Sequence, residues 1–229
     1  SGHPYRAGPD PDSLPMNARD ALLIAFTIAA GLALDQFGGP WGQPVVNLWA
    51  AGLLAWLAAR RLAQQWRALL ACLLFATAGE IVLSLVWGLY DYRLGNIPLF
   101  VPPGHVLLYC LGTWIAARLP ARAAAASVPL IVVCTAALAL TGHDLPSVPL
   151  TLIFLLAMRF GPAPALYSTM FCLALAMELW GTWLGNWAWR PHAPGIGLAT
   201  LNPPFAAGAF YCVLDWLVGI SNGARRLGA

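Results

Sequence analysis

The chain has no lysine: all twelve basic residues among its 229 are arginines. A retinal or pyridoxal Schiff base and a lysine nucleophile are thereby excluded, because each needs an amine that condenses or gives up a proton. Charge of either sign is scarce, at 9% of residues, against about 25% in an ordinary soluble domain. Metal-type spacings are missing as well. The five cysteines (Cys72, Cys110, Cys134, Cys172 and Cys212) lie in apolar runs with no CxxC, which suits packing better than disulfides or metal ligation. His105, His143 and His192 share no H-x-x-x-H or H-E-x-x-H spacing. No metal, no cofactor and no nucleic-acid partner are expected.

What the chain does have is apolar length: 60% of its residues are hydrophobic and its mean hydropathy is +0.71. A membrane-crossing helix takes about 20 mainly apolar residues. Eight such runs are predicted, near 19–37, 43–62, 67–90, 103–118, 121–141, 145–160, 163–186 and 203–222. The expected fold is an all-α, polytopic transmembrane bundle. The sixth run is short, which leaves a seven-span count as the alternative.

Residues 1–15 are polar and proline-rich, and are expected to be a disordered or added tail before a start at Met16. Residues 16–229 are then one transmembrane domain. With eight spans and cytoplasmic termini, Arg19, Arg60, Arg61, Arg67, Arg118, Arg122, Arg159, Arg225 and Arg226 all fall at cytoplasmic ends, as short basic loops do. Arg93 and Arg190 are the exceptions. The expected location is an integral membrane position, in a bacterial inner membrane.

The two exceptions sit at matching places in an internal repeat. Glu80, WGLYDYR (87–93), NIPLFVPPGH (96–105) and Tyr109 follow one another in the first half. Glu178, LGNWAWR (184–190), LATLNPPFAA (198–207) and Tyr211 follow in the second. Gly88 and Gly185 are 97 positions apart, and Pro102-Pro103 and Pro203-Pro204 are 101 apart. An even number of spans between the copies predicts two parallel four-helix repeats, 16–118 and 121–222. Both Pro-Pro pairs read as helix openers.

A charge inside a bilayer costs at least about 2.5 kcal/mol and normally faces a partner or a cavity. Glu80, Glu178 and Asp215 are expected at similar mid-membrane depth, where they could converge on one site. Within it, one acid stripped of water would be protonated and donate, while another stays ionised and takes up a proton or stabilises a cation. The alternative is a purely structural set of interhelical hydrogen bonds. His105 is the most credible acid/base partner among the histidines. Trp87, Tyr90, Tyr92, Trp180, Trp183, Trp187 and Trp189 crowd the same level or just outside it and could present π faces to a cation, or form an ordinary interfacial belt. Arg93, Asn96, Asn186, Arg190 and Asn202 would shape the external mouth, the two arginines clamping a phosphate or carboxylate if the substrate carries one.

An intramembrane Glu followed by Gly88-Leu89-Tyr90-Asp91-Tyr92 and then Pro98-Leu99 resembles the motif of membrane carotenoid hydratases of the bacterioruberin pathway. More distantly it is similar to small membrane lycopene cyclases and related membrane terpene cyclases. The resemblance implies a metal-free enzyme that protonates or hydrates isoprenoid double bonds with intramembrane acids. The leading expectation is therefore a membrane enzyme acting on a lipophilic, isoprenoid small molecule by acid-initiated cyclisation, isomerisation or hydration, surrounded by membrane lipids. Glu80 and Glu178 would be its acid/base pair and Asp215 an auxiliary. Two alternatives remain: a proton-coupled transporter or channel whose halves rock about the acid pair, with matched helix breaks near Gly88 and Gly185, and a non-catalytic assembly or lipid-binding partner.

Overall fold

A computed structural model describes residues 15–221. The tail expected at 1–15 lies, but for Pro15, outside these residues, as do Arg225 and Arg226. Among the described residues the chain forms eight α-helices and one two-stranded sheet.

The helices are α1 (Ala18–Phe37), α2 (Gly39–Arg60), α3 (Trp66–Glu80), α4 (Val101–Ala116), α5 (Ala121–Leu140), α6 (Ser147–Phe160), α7 (Pro164–Leu184) and α8 (Phe210–Ser221). Each expected run overlaps one of them. Three segments, Ala18–Phe37, Ala63–Val86 and Arg122–Leu140, fewer than the eight expected, are long and apolar enough among the described residues to cross a membrane. Helix α6, at 14 residues, spans about 21 Å at 1.5 Å per residue, short of a hydrocarbon core of about 30 Å.

Local chemistry sets the ends. Asn17 and Asp20 form a capping box at the start of α1, each side chain accepting from the other's backbone N–H at 3.0 Å. Asp20 also meets Arg61, just past α2, at 3.3 Å, which closes the α1–α2 hairpin. Helix α3 passes directly after Glu80 into a π-helical segment, Ile81–Val86. Such widened turns accompany functional sites often. Helix α7 ends where Gly185 takes a left-handed φ of +86°.

Helices α3, α4, α7 and α8 make the centre, with α3 packed on α4 and α8, and α4 on α7. Helix α1 covers α4 and α7 and carries α2 on its flank, while α5 and α6 pack on α7. Between the halves run two strands that the sequence reading did not foresee, β1 (Tyr90–Tyr92) and β2 (Trp187–Trp189). They pair antiparallel, Tyr90 opposite Trp189, Asp91 opposite Ala188 and Tyr92 opposite Trp187. The Arg93 N–H donates to the Asn186 carbonyl and the Arg190 N–H to the Leu89 carbonyl, both at 2.9 Å. Exchanging each residue for its counterpart 97 positions away, the Gly88–Gly185 separation, maps this pairing onto itself.

A second matched contact revises the proline alignment. The Phe100 N–H donates to Asn47 Oδ1 at 2.8 Å, and the Phe205 N–H to Asp144 Oδ2 at 2.7 Å. These contacts equate Pro98-Leu99-Phe100 with Pro203-Pro204-Phe205, so the two Pro-Pro pairs are not counterparts. Pro102-Pro103 occupies the first turn of α4, whereas Pro203-Pro204 precedes a 3-10 turn, Ala207–Ala209, that leads into α8. The outer helices also depart from two-fold order, because α1 packs on α4 and α7 while α5 packs on α7 and α6.

Candidate functional site

Beneath the β1–β2 pair lies a partly open cavity of about 70 Å³. One end is polar, formed by Glu80 of α3, Glu178 of α7, His105 of α4, Tyr90 and Tyr92 of β1 and Trp187 of β2. The remaining wall is apolar or small, contributed mainly by α1, α2 and α4 through residues such as Ile28, Gly31, Val46, Ala50 and Leu107.

The two acids are held by matched but chemically different donors. Side chains two apart on a strand share a face, so Tyr90 and Tyr92 both reach Glu80 Oε2, at 2.9 and 2.7 Å. By the same geometry Trp187 and Trp189 both reach Glu178 Oε2 through their indole N–H groups, at 2.8 and 2.9 Å. Burial, and then the neighbouring Glu80 carboxylate, push the Tyr92 phenol above its ordinary range, which keeps it a donor.

The free oxygens differ as well. Glu80 Oε1 meets His105 Nε2 at 2.7 Å, and His105 Nδ1 meets the Tyr211 hydroxyl at 2.7 Å. With a proton on Nε2, Glu80 accepts three hydrogen bonds, of the about four that an ionised carboxylate can take. Glu178 Oε1 takes part in no hydrogen bond among the described residues. Indole N–H groups only donate, so Oε2 must accept, and any proton Glu178 carries is confined to Oε1.

Trp187 can lie over Glu178 because α7 has no side chain beneath it at Gly181. A Cβ built there would overlap the Trp187 indole.

The remaining expected residues are distributed around this core. Asp215 does not join the two glutamates. It is fully buried in a separate cluster, accepting from the Tyr109 hydroxyl and, at 3.0 Å, from the Tyr167 hydroxyl. Trp87 is exposed and donates to the Pro194 carbonyl at 2.9 Å. Trp180 and Trp183 stack on each other on the outer face of α7, Trp180 donating to the Ala29 carbonyl at 3.1 Å. None of these three tryptophans lines the cavity.

The mouth residues act as struts. Arg93 binds the Asp35 backbone carbonyl at 2.7 Å and its carboxylate at 3.3 Å. Asn186 donates to the same carboxylate at 2.7 Å. Arg190 pairs with Asp91 at 3.0 Å on the exposed side of the sheet. Asn202 accepts from the Trp189 backbone N–H at 2.8 Å, and Asn96 makes a 3.5 Å contact with Gln43. Among the described residues, no group of three His, Cys, Asp or Glu is arranged to hold a metal ion.

Three contributors escaped the sequence reading, and Trp189 was expected only as one of the aromatics near the acids. Asp35 is buried and gathers Arg93 and Asn186 under the sheet. Trp189 serves Glu178, a role its alternation with Trp187 signals once the segment is read as a strand. Tyr211 backs His105, and the α1–α2 wall has no sequence signal beyond ordinary apolar helix. Comparison with known protein families, curated proteins and solved structures finds no match for this chain.

Proposed function

We propose that the protein is an integral membrane enzyme acting on a lipophilic, isoprenoid substrate by acid-initiated cyclisation, isomerisation or hydration. Glu178 is the proton donor, and Glu80, backed by His105, is the acceptor. The observation that carries this reading is the pair of carboxyl groups from two helices at one end of an apolar cavity, one accepting three hydrogen bonds and the other with Oε1 free. Asp215, outside the cavity, has no direct part in it.

Glu178 Oε1–H gives its proton to a substrate double bond, whose π electrons form the new C–H bond and leave a cation on the neighbouring carbon. Tyr90, Tyr92 and Trp187 offer π faces to that cation. An adjacent C–H then loses its proton to Glu80, or water adds and loses one there. Return of that proton to Glu178 within the shared cavity restores the starting state.

The proposal includes eight crossings by two parallel four-helix repeats, with both termini cytoplasmic and the sheet on the external side of a bacterial inner membrane. The resemblance of Glu80 and Gly88–Tyr92 to carotenoid hydratases and lycopene cyclases suggests the isoprenoid class. The transporter reading is less well supported. It calls for matched helix breaks, yet the π-helical segment follows Glu80 alone, while α7 stays regular through Glu178 to Leu184.

The test is product formation from host lipids, followed by mass spectrometry in cells expressing wild type, Glu80→Gln or Glu178→Gln. Wild-type product levels in both variants would refute the enzyme.

A further inference from the structure

The wall of the cavity carries two carboxyl groups and almost no basic group. Glu80 and Glu178 line it, and His105 is its sole basic residue among the described lining. The chain has no lysine to reach in from elsewhere. Arg93 and Arg190, the arginines nearest in sequence to the polar end, are committed to Asp35 and Asp91 and do not line the cavity.

From this we infer that the cavity binds a single-chain lipophile whose head carries no phosphate or carboxylate, and that it favours a cationic head over an anionic one. The inference deepens the proposed function, since it concerns the same cavity, but it depends on charge and shape and needs no turnover. An anionic head at the polar end would lose its hydration and gain the Glu80 carboxylate as a neighbour, with no guanidinium to offset it. A cationic head would meet that carboxylate and the faces of Tyr90, Tyr92 and Trp187. The apolar chain would lie along α1, α2 and α4, past Gly104. A Cβ built on Gly104 meets nothing within 4 Å, so a larger side chain there enters the cavity without a backbone clash.

The experiment is calorimetric titration of the purified full chain in detergent with farnesol, farnesyl phosphate and farnesylamine. Farnesylamine should bind tightest, and farnesyl phosphate at least tenfold more weakly than farnesol. Gly104→Leu should weaken the amine and the alcohol at least tenfold with its melting temperature kept near wild type, which separates cavity binding from uptake by the micelle. Phosphate binding equal to or tighter than farnesol, its loss on Arg93→Ala or Arg190→Ala, binding unchanged in Gly104→Leu, or no binding by any probe would overturn the inference. If the head preference holds while Glu178→Gln makes product normally, the proposed reaction fails and this inference stands.

Discussion

Tyr90 and Trp189 face each other across the two strands with ring centroids 4.5 Å apart, yet their polar atoms serve different acids, Tyr90 bonding Glu80 and Trp189 bonding Glu178. One aromatic layer thus orients both carboxylates, phenols on one side and indoles on the other. Phenols can exchange a proton with their partner, whereas indoles only donate. The two acids are consequently unequal although their helices and strands match.

That inequality sets the first expectation. If Glu178 is the general acid, Glu178→Gln lowers product formation by about 10²–10⁴-fold, the usual contribution of a positioned acid. Glutamine still accepts from both indoles, so the folded protein should survive. Quantitative mass spectrometry of product, normalised to protein recovered in membranes, gives the ratio.

Removing the donors tests how much the aromatic layer stabilises the protein. Tyr92→Phe deletes one charge-directed hydrogen bond to Glu80, worth about 1.5–3 kcal/mol. Thermal unfolding in detergent should show a lowered midpoint. A midpoint equal to wild type would mean that the 2.7 Å contact contributes nothing.

Gly181→Ala should be harmful despite adding a single methyl group on a helix. The new Cβ drives into the Trp187 ring, and overpacking of this kind costs about 1–3 kcal/mol. Intrinsic tryptophan emission should shift along with the unfolding midpoint if Trp187 is displaced from Glu178.

The two exceptional arginines should behave differently. Asp35 has only 2% of its side chain exposed, and removing one partner of a buried pair costs about 3–5 kcal/mol. Arg93→Ala should approach the lower end, because its own side chain is 26% exposed. Arg190 and Asp91 are 51% and 62% exposed, so Arg190→Ala should cost about 1 kcal/mol or less. Equal losses in denaturant titrations would contradict the structural distinction.

Membrane orientation is open to thiol labelling. Leu94, exposed just after β1, should react as Leu94→Cys with an impermeant maleimide added to spheroplasts, above the level of the unsubstituted chain. Gln64, in the exposed turn before α3, should react as Gln64→Cys only after the membrane is opened. The reverse pattern would invert the proposed topology.

Much of the site was legible because buried charge in an apolar chain is conspicuous: Glu80 and Glu178 stand out, and their following aromatic-x-aromatic-Arg elements mark the repeat. Helix phase accounts for part of what was misjudged. At about 100° per residue, Trp180 and Trp183 point well away from Glu178, and they lie on the outer face. On α3 the π-helical segment alters that phase, so Trp87, seven positions after Glu80, does not sit above it. Asp215 has the right depth but faces Tyr109 and Tyr167, a pairing that depends on how α8 packs rather than on any spacing. The Pro-Pro pairs misled because identical dipeptides serve as a helix start in one half and a loop in the other.

The antiparallel register has a mechanical consequence. Each strand belongs to a different half of the chain, and each acid takes its aromatic donors from one strand. A slip of one strand by a single residue would turn its own paired aromatics to the opposite face, so each strand's register against the other holds the aromatic donors of its acid in place. The pairing that joins the two halves is thereby also what keeps both carboxyl groups aimed.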